Sequence, residues 1–322
     1  MIIKPRSYPL RLRKLEALQR RLPPHHPKNS LVQEALARTR AGYHGERSID
    51  FHLNFIPHKN YLIIHDLRLF DGQHFFQMDT VLVSRKFILI LEVKNISGSL
   101  YLDSDIYQLS RTLNGKEESF PDPLLQIERQ QLQLSNWIQN QLSLTIPVES
   151  LVLFSNKQAV LHLKNDRDSE KVIKSEGLVN RVNVIAQRHD KVCFNVDQLN
   201  SLAYRMVQSH HEPRQSVLES FDIKEFDLVE GVICQSCLSQ MSWLKGKWQC
   251  SACGTRATNS HVLALQDYAC LCHPQISNKQ ARKYLNINSE DTVKRLLAKL
   301  GGKKIGTYKS TKYEIPLENP KR

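Results

Sequence analysis

The spacing of apolar residues changes once along the first half of the chain, and this change separates a predicted helix from a predicted sheet. Ala and Leu first recur at helical intervals, and beyond residue 60 the apolar runs become short and β-rich. The predicted elements are a helix at residues 31–56, strands at 61–69, 75–84 and 87–95, a helix at 121–142 and a strand at 148–156. This order is typical of a mixed α/β layer.

The second half of the chain has a weaker pattern. We expect a strand near residues 182–185 and a helix near 196–209. Two short helices, at residues 276–287 and 289–301, carry apolar residues spaced for packing at a steep angle, as in a helix-turn-helix. Residues 302–316 are a candidate β-wing.

These patterns predict four segments. They are a basic N-terminal segment (1–30), an α/β domain (31–210), a zinc ribbon-like module (228–258) and a helix-turn-helix-like basic tail (274–322).

Positive charge is concentrated at the two ends of the chain. The net charge is +13, and residues 1–47 and 279–322 each carry +8, which leaves the middle at −3. Such ends favour an anionic polymer, nucleic acid, over an acidic membrane surface. The alternative is a pair of solvated basic segments that maintain solubility.

Nothing in the sequence resembles a secretion signal or a membrane span. The N-terminus is charged where a signal peptide is apolar, and the longest apolar run, Phe87 to Val93, has strand length. We therefore expect a cytoplasmic protein without a membrane partner.

Three ionisable residues lie at the ends of the predicted apolar strands. Glu92 and Lys94 share a face of one strand because side chains alternate, and Asp79 lies beside them if the neighbouring strand pairs with it. Two carboxylates and a lysine suit metal-assisted phosphodiester hydrolysis. The alternative, an exposed strand face, is common for such residues, but the strands here are very apolar.

The stretch from Gly42 to Phe154 resembles the nuclease-related domain (NERD), which is similar to the PD-(D/E)xK restriction endonucleases. The matching pieces are Gly45-Glu46, Ile64-His65-Asp66-Leu67, Gln77-Met78-Asp79, Glu92-Val93-Lys94-Asn95-Ile96-Ser97-Gly98 and Asp122-Pro123-Leu124-Leu125-Gln126. The broader pattern has proline where this chain has Met78.

The resemblance implies a restriction-endonuclease-like αβββαβ core and a nuclease-like activity. Asp79 and Glu92 would bind Mg²⁺ or Mn²⁺, Lys94 would be the catalytic lysine, and Glu46 and Gln126 would line the site. Outside this resemblance, Glu46 could equally pair with Arg47 or with solvent, and Gln126 could be an ordinary polar helix residue.

Four cysteines have the spacing of a structural zinc site. Cys234 and Cys237, then Cys250 and Cys253, form two C-x2-C pairs separated by twelve residues. One alternative, reduced thiols in a small core, leaves this spacing unexplained, and the other, a redox pair, lacks the βαβ context of such motifs. Cys270 and Cys272 are expected to be buried or free thiols.

The basic tail is a candidate nucleic-acid contact. Five side chains on the second tail helix and the wing would face phosphate: Lys294, Arg295, Lys299, Lys303 and Lys304. The alternative is a basic helical hairpin that packs on the main domain.

Two classes of function follow. The first is a Mg²⁺-dependent nuclease in DNA processing, with a helicase or another DNA-processing protein as a possible partner. The second is a catalytically silent DNA- or RNA-binding protein that keeps the nuclease fold as a scaffold. DNA is favoured over RNA.

Overall fold

The computed structural model describes residues 1–142, 145–213, 215–307 and 310–317. Its α-helices are α1 (Leu10–Arg21), α2 (Asn29–Leu53), α3 (Pro123–Leu142), α4 (Leu178–Arg188), α5 (Val196–Gln208), α6 (Val217–Ser220), α7 (Ser260–Leu271), α8 (Asn278–Leu285) and α9 (Glu290–Lys299). Its strands are β1 (Ile2–Lys4), β2 (Leu62–Phe70), β3 (Phe75–Val83), β4 (Ile88–Lys94), β5 (Gly98–Asp103), β6 (Gln108–Leu113), β7 (Lys116–Pro121), β8 (Val148–Phe154), β9 (Ala159–Leu163), β10 (Val172–Lys174), β11 (Val232–Ile233), β12 (Gln240–Leu244), β13 (Lys247–Cys250), β14 (Arg256–Ala257), β15 (Gln275–Ser277), β16 (Lys304–Ile305) and β17 (Lys312–Glu314).

The chain forms two compact units. Unit 1 comprises Met1–Tyr8 and Arg40–Glu212, and unit 2 comprises Pro9–Thr39 and Pro213–Arg322. This division differs from the expected segments at the N-terminus. The first eight residues belong with the α/β domain, and the next thirty-one belong with the cysteine-containing C-terminal part.

The core of unit 1 is a six-stranded mixed sheet in the order β1-β2-β3-β4-β8-β10. Strands β2, β3 and β4 pair antiparallel, whereas β8 lies parallel to β4 after the crossover through α3. Nearly every residue of β4 is buried, as expected for a central strand covered on both faces. The predicted αβββαβ core is therefore confirmed.

Each face of this sheet has its own apolar layer. Alternate residues such as Ile64, Val81 and Ile90 pack with α3 and α5. The intervening residues, such as Leu82 and Leu89, pack with α2 and α4. A smaller sheet, β7-β6-β5-β9, has a separate apolar cluster.

One predicted element is wrong. The segment near residues 182–185 is part of helix α4 and not a strand. Leu178, Val182 and Ile185 are buried at intervals of four and three residues, so the apolar period here is that of a helix.

One apolar cluster of unit 2 includes residues of both expected C-terminal modules. Val232 and Trp248 of the cysteine-rich sheet β11-β12-β13-β14 are in one cluster with Leu285 of α8 and Leu297 of α9. Helices α8 and α9 are preceded by Ser277 and Ser289, whose side chains accept backbone hydrogen bonds as N-caps.

A second, three-stranded sheet of unit 2 has the order β15-β17-β16, and β16 and β17 lie within the candidate wing. Tyr308 and Lys309 of the candidate wing lie outside the described residues. Among the described helices, none combines the length and the apolar character needed to cross a bilayer.

Helix α1 lies within the expected basic N-terminal segment and packs in unit 2. Its buried residues Leu12, Leu15 and Leu18 pack in unit 2, and Arg21 is buried with them. The Arg21 Nε donates to Asp267 Oδ2 at 2.8 Å, and its Nη1 donates to the Gly231 carbonyl at 2.6 Å. The basic residues of α1 thus serve in part as structural ion pairs.

Candidate active site at one end of the central sheet

Three carboxylates from neighbouring strands lie at the same level of the central sheet. The β2–β3 register pairs His65 with Thr80 and Leu67 with Met78, so Asp66 is level with Asp79. The β3–β4 pairing ends at Thr80 and Leu91, and one further step brings Asp79 level with Glu92. Asp66 has φ 50, a left-handed conformation that aspartate tolerates, and it interrupts the ladder here.

Glu92 and Lys94 are bonded to each other and to helix α3. The Lys94 Nζ donates to Glu92 Oε1 and to Gln126 Oε1, both at 2.8 Å. The Gln126 Nε2 also donates to Glu92 Oε1 at 2.7 Å. Glu92 is buried, and Lys94 and Gln126 are half-buried, so all three groups have well-defined positions.

Gln130, one turn after Gln126 on α3, completes the environment of Glu92. Its Nε2 donates to Glu92 Oε2 at 2.9 Å and to the Gln77 carbonyl at 2.8 Å. Its Oε1 is buried and has no hydrogen-bond partner among the described residues. An unpaired acceptor beside a carboxylate is suited to a cation or a water molecule.

Asp79 is held by the backbone of the neighbouring strand. Its Oδ2 accepts a hydrogen bond from the Val93 amide at 2.8 Å. Burial raises the pKa of Asp79 well above its usual range, and the nearby charges of Glu92 and Glu46 raise it further. Negative charge at Asp79 is therefore incompletely compensated by protein groups.

Glu46 reaches the site from α2 because the helix passes very close to the end of β4. A Cβ atom at Gly45 would lie 2.4 Å from the Asn95 Cβ and 2.9 Å from the Ser155 Oγ, so only glycine fits this contact. The Asn95 side chain donates to the Ala41 carbonyl of the same helix at 2.7 Å. Burial, and then the charge of Asp66, raise the pKa of Glu46 to about 7.

Carboxylates outnumber the cations that bond to them at this end of the sheet. Arg6 pairs with Glu46 and Asp66, and Lys94 pairs with Glu92. The remaining negative charge and the set of oxygen donors fit a hard divalent cation such as Mg²⁺ or Mn²⁺.

A cation here would not be enclosed by protein ligands. Across the described residues, only the four cysteines of unit 2 bring three or more His, Cys, Asp or Glu ligand atoms within 4.8 Å of one another. In the part of the chain that the structure describes, no three carboxylates of unit 1 meet this spacing, so these residues would supply only part of the ligand set of a divalent cation.

The structure brings together all five residues predicted for this site: Glu46, Asp79, Glu92, Lys94 and Gln126. The sequence reasoning missed three others, Arg6, Asp66 and Gln130. The spacing of Gln130 from Gln126, one helical turn, is a signal that could have identified it. Asp66 lies within a segment that resembles the family, but its position opposite Asp79 depends on the strand register.

The four cysteines of unit 2 converge as their spacing predicts. The Cys234 and Cys253 sulfurs are 3.7 Å apart, and those of Cys237 and Cys250 are 3.4 Å apart. A tetrahedral site with Zn–S bonds of about 2.3 Å has sulfurs about 3.8 Å apart. The cluster is thus compatible with a zinc ribbon.

The two cysteine turns have the same backbone design. In each turn the residue four positions after the first cysteine, Leu238 or Gly254, has positive φ and donates its amide to that cysteine's carbonyl. Cys270 is buried on α7 and Cys272 is half-buried directly after it, both outside the cluster.

The predicted phosphate-facing residues of the tail are exposed in unit 2. Lys294, Arg295 and Lys299 lie on α9, and Lys303 and Lys304 lie at the start of the wing. On α9 they flank the buried residues Val293, Leu296 and Leu297, so one face of the helix packs and the other is free for solvent or a ligand.

The comparison with protein families agrees with the geometry of unit 1. The model of the nuclease-related domain, NERD, matches residues 41–155. This range runs from α2 to the end of β8. It includes Glu46, Asp79 and Glu92 but not Arg6. No curated protein and no solved structure matches the chain.

Proposed function

We propose that this chain is a divalent-metal-dependent nuclease that acts on DNA, with its phosphodiesterase site in the nuclease-related domain. The observation that carries the proposal is the convergence of Asp79, Glu92 and Lys94 at one end of the central sheet, with Gln126 bonded to two of them. The match of the nuclease-related domain over the same residues supports it.

Asp79 and Glu92 would hold Mg²⁺ or Mn²⁺, which lowers the pKa of a bound water and polarises a phosphate oxygen. Glu92 is positioned by Gln126 and Gln130, which bond to different oxygens and leave its carboxylate little freedom to rotate. The Lys94 ammonium would hold the attacking water or stabilise charge on the phosphate. Gln126 orients Lys94 through the 2.8 Å hydrogen bond to its Nζ.

Unit 2 would hold the nucleic acid. We propose that α8 and α9 act as a helix-turn-helix with β16 and β17 as a wing. The exposed cations Lys294, Arg295 and Lys299 of α9 would contact phosphate, which supplies affinity without sequence choice. A Zn²⁺ ion bound by Cys234, Cys237, Cys250 and Cys253 would stabilise this unit and take no part in cleavage.

Cleavage of plasmid and linear DNA in Mg²⁺, compared with EDTA, tests the proposal. We expect Asp79→Ala to abolish cleavage, while Glu230→Ala, a change at an exposed carboxylate of unit 2, leaves it unchanged. Equal cleavage by wild type and Asp79→Ala would reveal a contaminating nuclease and contradict the proposal.

One observation favours a second candidate, a catalytically silent nucleic-acid-binding protein. Both oxygens of Glu92 already accept hydrogen bonds from Lys94, Gln126 or Gln130. Absence of cleavage, together with tight and salt-sensitive binding, would support this candidate. Salt titrations with duplex DNA and with single-stranded RNA distinguish the two polymers.

A further inference from the structure

The Arg6 side chain bonds to five residues near the proposed active site, although Arg6 itself precedes the matched residues 41–155 in the sequence. The Arg6 side chain is only 4% exposed. In the sequence, Arg6 follows β1, the edge strand that pairs parallel with β2. The neighbouring Lys4 fixes the same segment, because its Nζ donates to the carbonyls of His65 and Asp66 at 3.0 and 3.1 Å.

One end of the guanidinium bridges two carboxylates of the site. The Arg6 Nη1 donates to Glu46 Oε2 at 3.2 Å and to Asp66 Oδ1 at 3.3 Å. Helix α2 and strand β2 are thereby connected through one nitrogen. Without this bridge, two carboxylates with raised pKa values would face each other directly.

The other end of the guanidinium reaches the strand that carries Asp79. The Arg6 Nη2 donates to Thr80 Oγ1 at 3.1 Å, to His65 Nδ1 at 3.0 Å and to Asp50 Oδ1 at 3.3 Å. Burial, and then the charge of Arg6, lower the pKa of His65 to about 4, so its ring is neutral and can accept this bond. A lysine could not make these contacts together, because its donors radiate from a single atom.

We propose that Arg6 is a positioning residue of the metal site, which holds Glu46 against the carboxylate row, and that the segment Met1–Tyr8 is a functional part of the nuclease-like domain. The inference rests on the proposed function only in requiring that this site binds a divalent cation. Arg6 acts through Glu46 and touches neither the proposed metal ligands Asp79 and Glu92 nor Lys94.

A double-mutant cycle on Mn²⁺ binding tests this role without relying on cleavage. Binding of Mn²⁺ alone is measured by electron paramagnetic resonance for wild type, Arg6→Ala, Glu46→Ala and the double variant. We expect Arg6→Ala to weaken binding by about 10- to 100-fold, as for other residues that orient metal-binding groups. In the Glu46→Ala background the same change should alter binding by less than about twofold.

Two further variants separate positioning from folding and from charge. Arg21→Ala removes an equally buried, carboxylate-paired arginine from unit 2 and should leave Mn²⁺ binding unchanged. Arg6→Lys keeps the charge but cannot form the bridge, so we expect it to bind Mn²⁺ nearly as weakly as Arg6→Ala. Arg6→Lys also serves as the test variant if Arg6→Ala does not fold.

The outcomes distinguish this inference from the proposed function. Independent, multiplicative effects of the two substitutions would overturn the inference, as would tighter Mn²⁺ binding by Arg6→Ala, which would indicate a competing cation. A non-additive cycle in a protein that does not cleave DNA would support the inference and contradict nuclease activity. Failure of the wild type to bind Mn²⁺ would overturn both.

Discussion

The two units stabilise buried ionisable groups in different ways. In unit 2 the buried Asp267 is matched by Arg20 and Arg21, and four thiols converge at distances suited to a metal. In unit 1 the carboxylates outnumber the cations bonded to them, and the pKa values of Glu46, Asp66 and Asp79 are raised. The difference indicates that the buried charge of Asp267 in unit 2 is balanced within the protein, whereas the carboxylates of unit 1 are not, which is more typical of a functional site than of a structural ion pair.

The largest expected effect comes from breaking the cysteine cluster. In unit 2, Cys250→Ser removes one of the four proposed zinc ligands, and structural zinc sites contribute on the order of 10 kcal/mol to the folding of small modules. We expect rapid hydrogen exchange throughout β11–β14, with unchanged exchange in the central sheet of unit 1. Cys193→Ser, a cysteine of unit 1, is the control. Unchanged exchange in Cys250→Ser would argue against a structural metal.

Asp267→Ala tests whether the paired charges of unit 2 are structural. It leaves the buried Arg21 without its carboxylate partner, and breaking a buried pair in this way costs about 3–5 kcal/mol. Hydrogen exchange in α1 and α7 reports the loss. Glu230→Ala, at an exposed ion pair, should cost less than about 1 kcal/mol. Similar losses in the two variants would mean that the Arg21–Asp267 pair contributes no more than a surface pair.

Lys94→Ala tests whether the corresponding charges of unit 1 are catalytic. Because the ammonium would stabilise charge that develops during cleavage, we expect the single-turnover rate to fall by about 10²- to 10³-fold, with little change in thermal stability. Lys157→Ala, at an exposed lysine of the same unit, is the matched control. A large loss of stability with little loss of rate would assign Lys94 a structural role like that of Arg21.

Gly45→Ala tests the contact that brings Glu46 into the site. Its Cβ would clash with Asn95, and overpacking of this kind costs about 1–3 kcal/mol. The helix must shift, so we expect weaker metal binding as well as a lower melting temperature. Gly42→Ala, on the same helix, meets no atom within 4 Å and should be neutral or stabilise by up to about 1 kcal/mol. Equal effects of the two substitutions would contradict this packing argument.

The smallest effect is expected at the exposed cations of α9. Each phosphate contact that is lost should reduce the salt dependence of DNA binding by about one unit in the log–log slope. Lys294→Ala and Arg295→Ala are the test variants, measured by fluorescence anisotropy between low and physiological salt. Lys283→Ala, at an exposed lysine on α8, is the control variant whose salt slope is compared with theirs. An unchanged slope for both α9 variants would remove α9 from the proposed interface.

The sequence predicted the elements whose signals are local. The change from helical to strand periodicity identified α2, β2, β3 and β4, and the cysteine spacing identified a cluster in which every ligand comes from two short turns. The segment at 182–185 is helical and not the expected strand. Its β-branched residues favour a strand, but the spacing of the buried residues Leu178, Val182 and Ile185 is that of a helix.

Features that depend on long-range packing could not be read from the sequence. Arg6 meets Glu46 through the pairing of β1 with β2, and Asp66 meets Asp79 through the strand register. Likewise, the assignment of α1 to unit 2 depends on Asp267, which is 246 residues from Arg21. Charge alone could not distinguish these structural arginines from nucleic-acid contacts.

A crystal structure of the protein with Mn²⁺, measured at a wavelength where manganese scatters anomalously, tests the central claim most directly. We predict an anomalous peak in unit 1 within coordination distance of oxygens of both Asp79 and Glu92, and no such peak in Asp79→Ala. A wild-type structure with no peak there, in which Glu92 keeps its present bonds to Lys94, Gln126 and Gln130, would contradict the account.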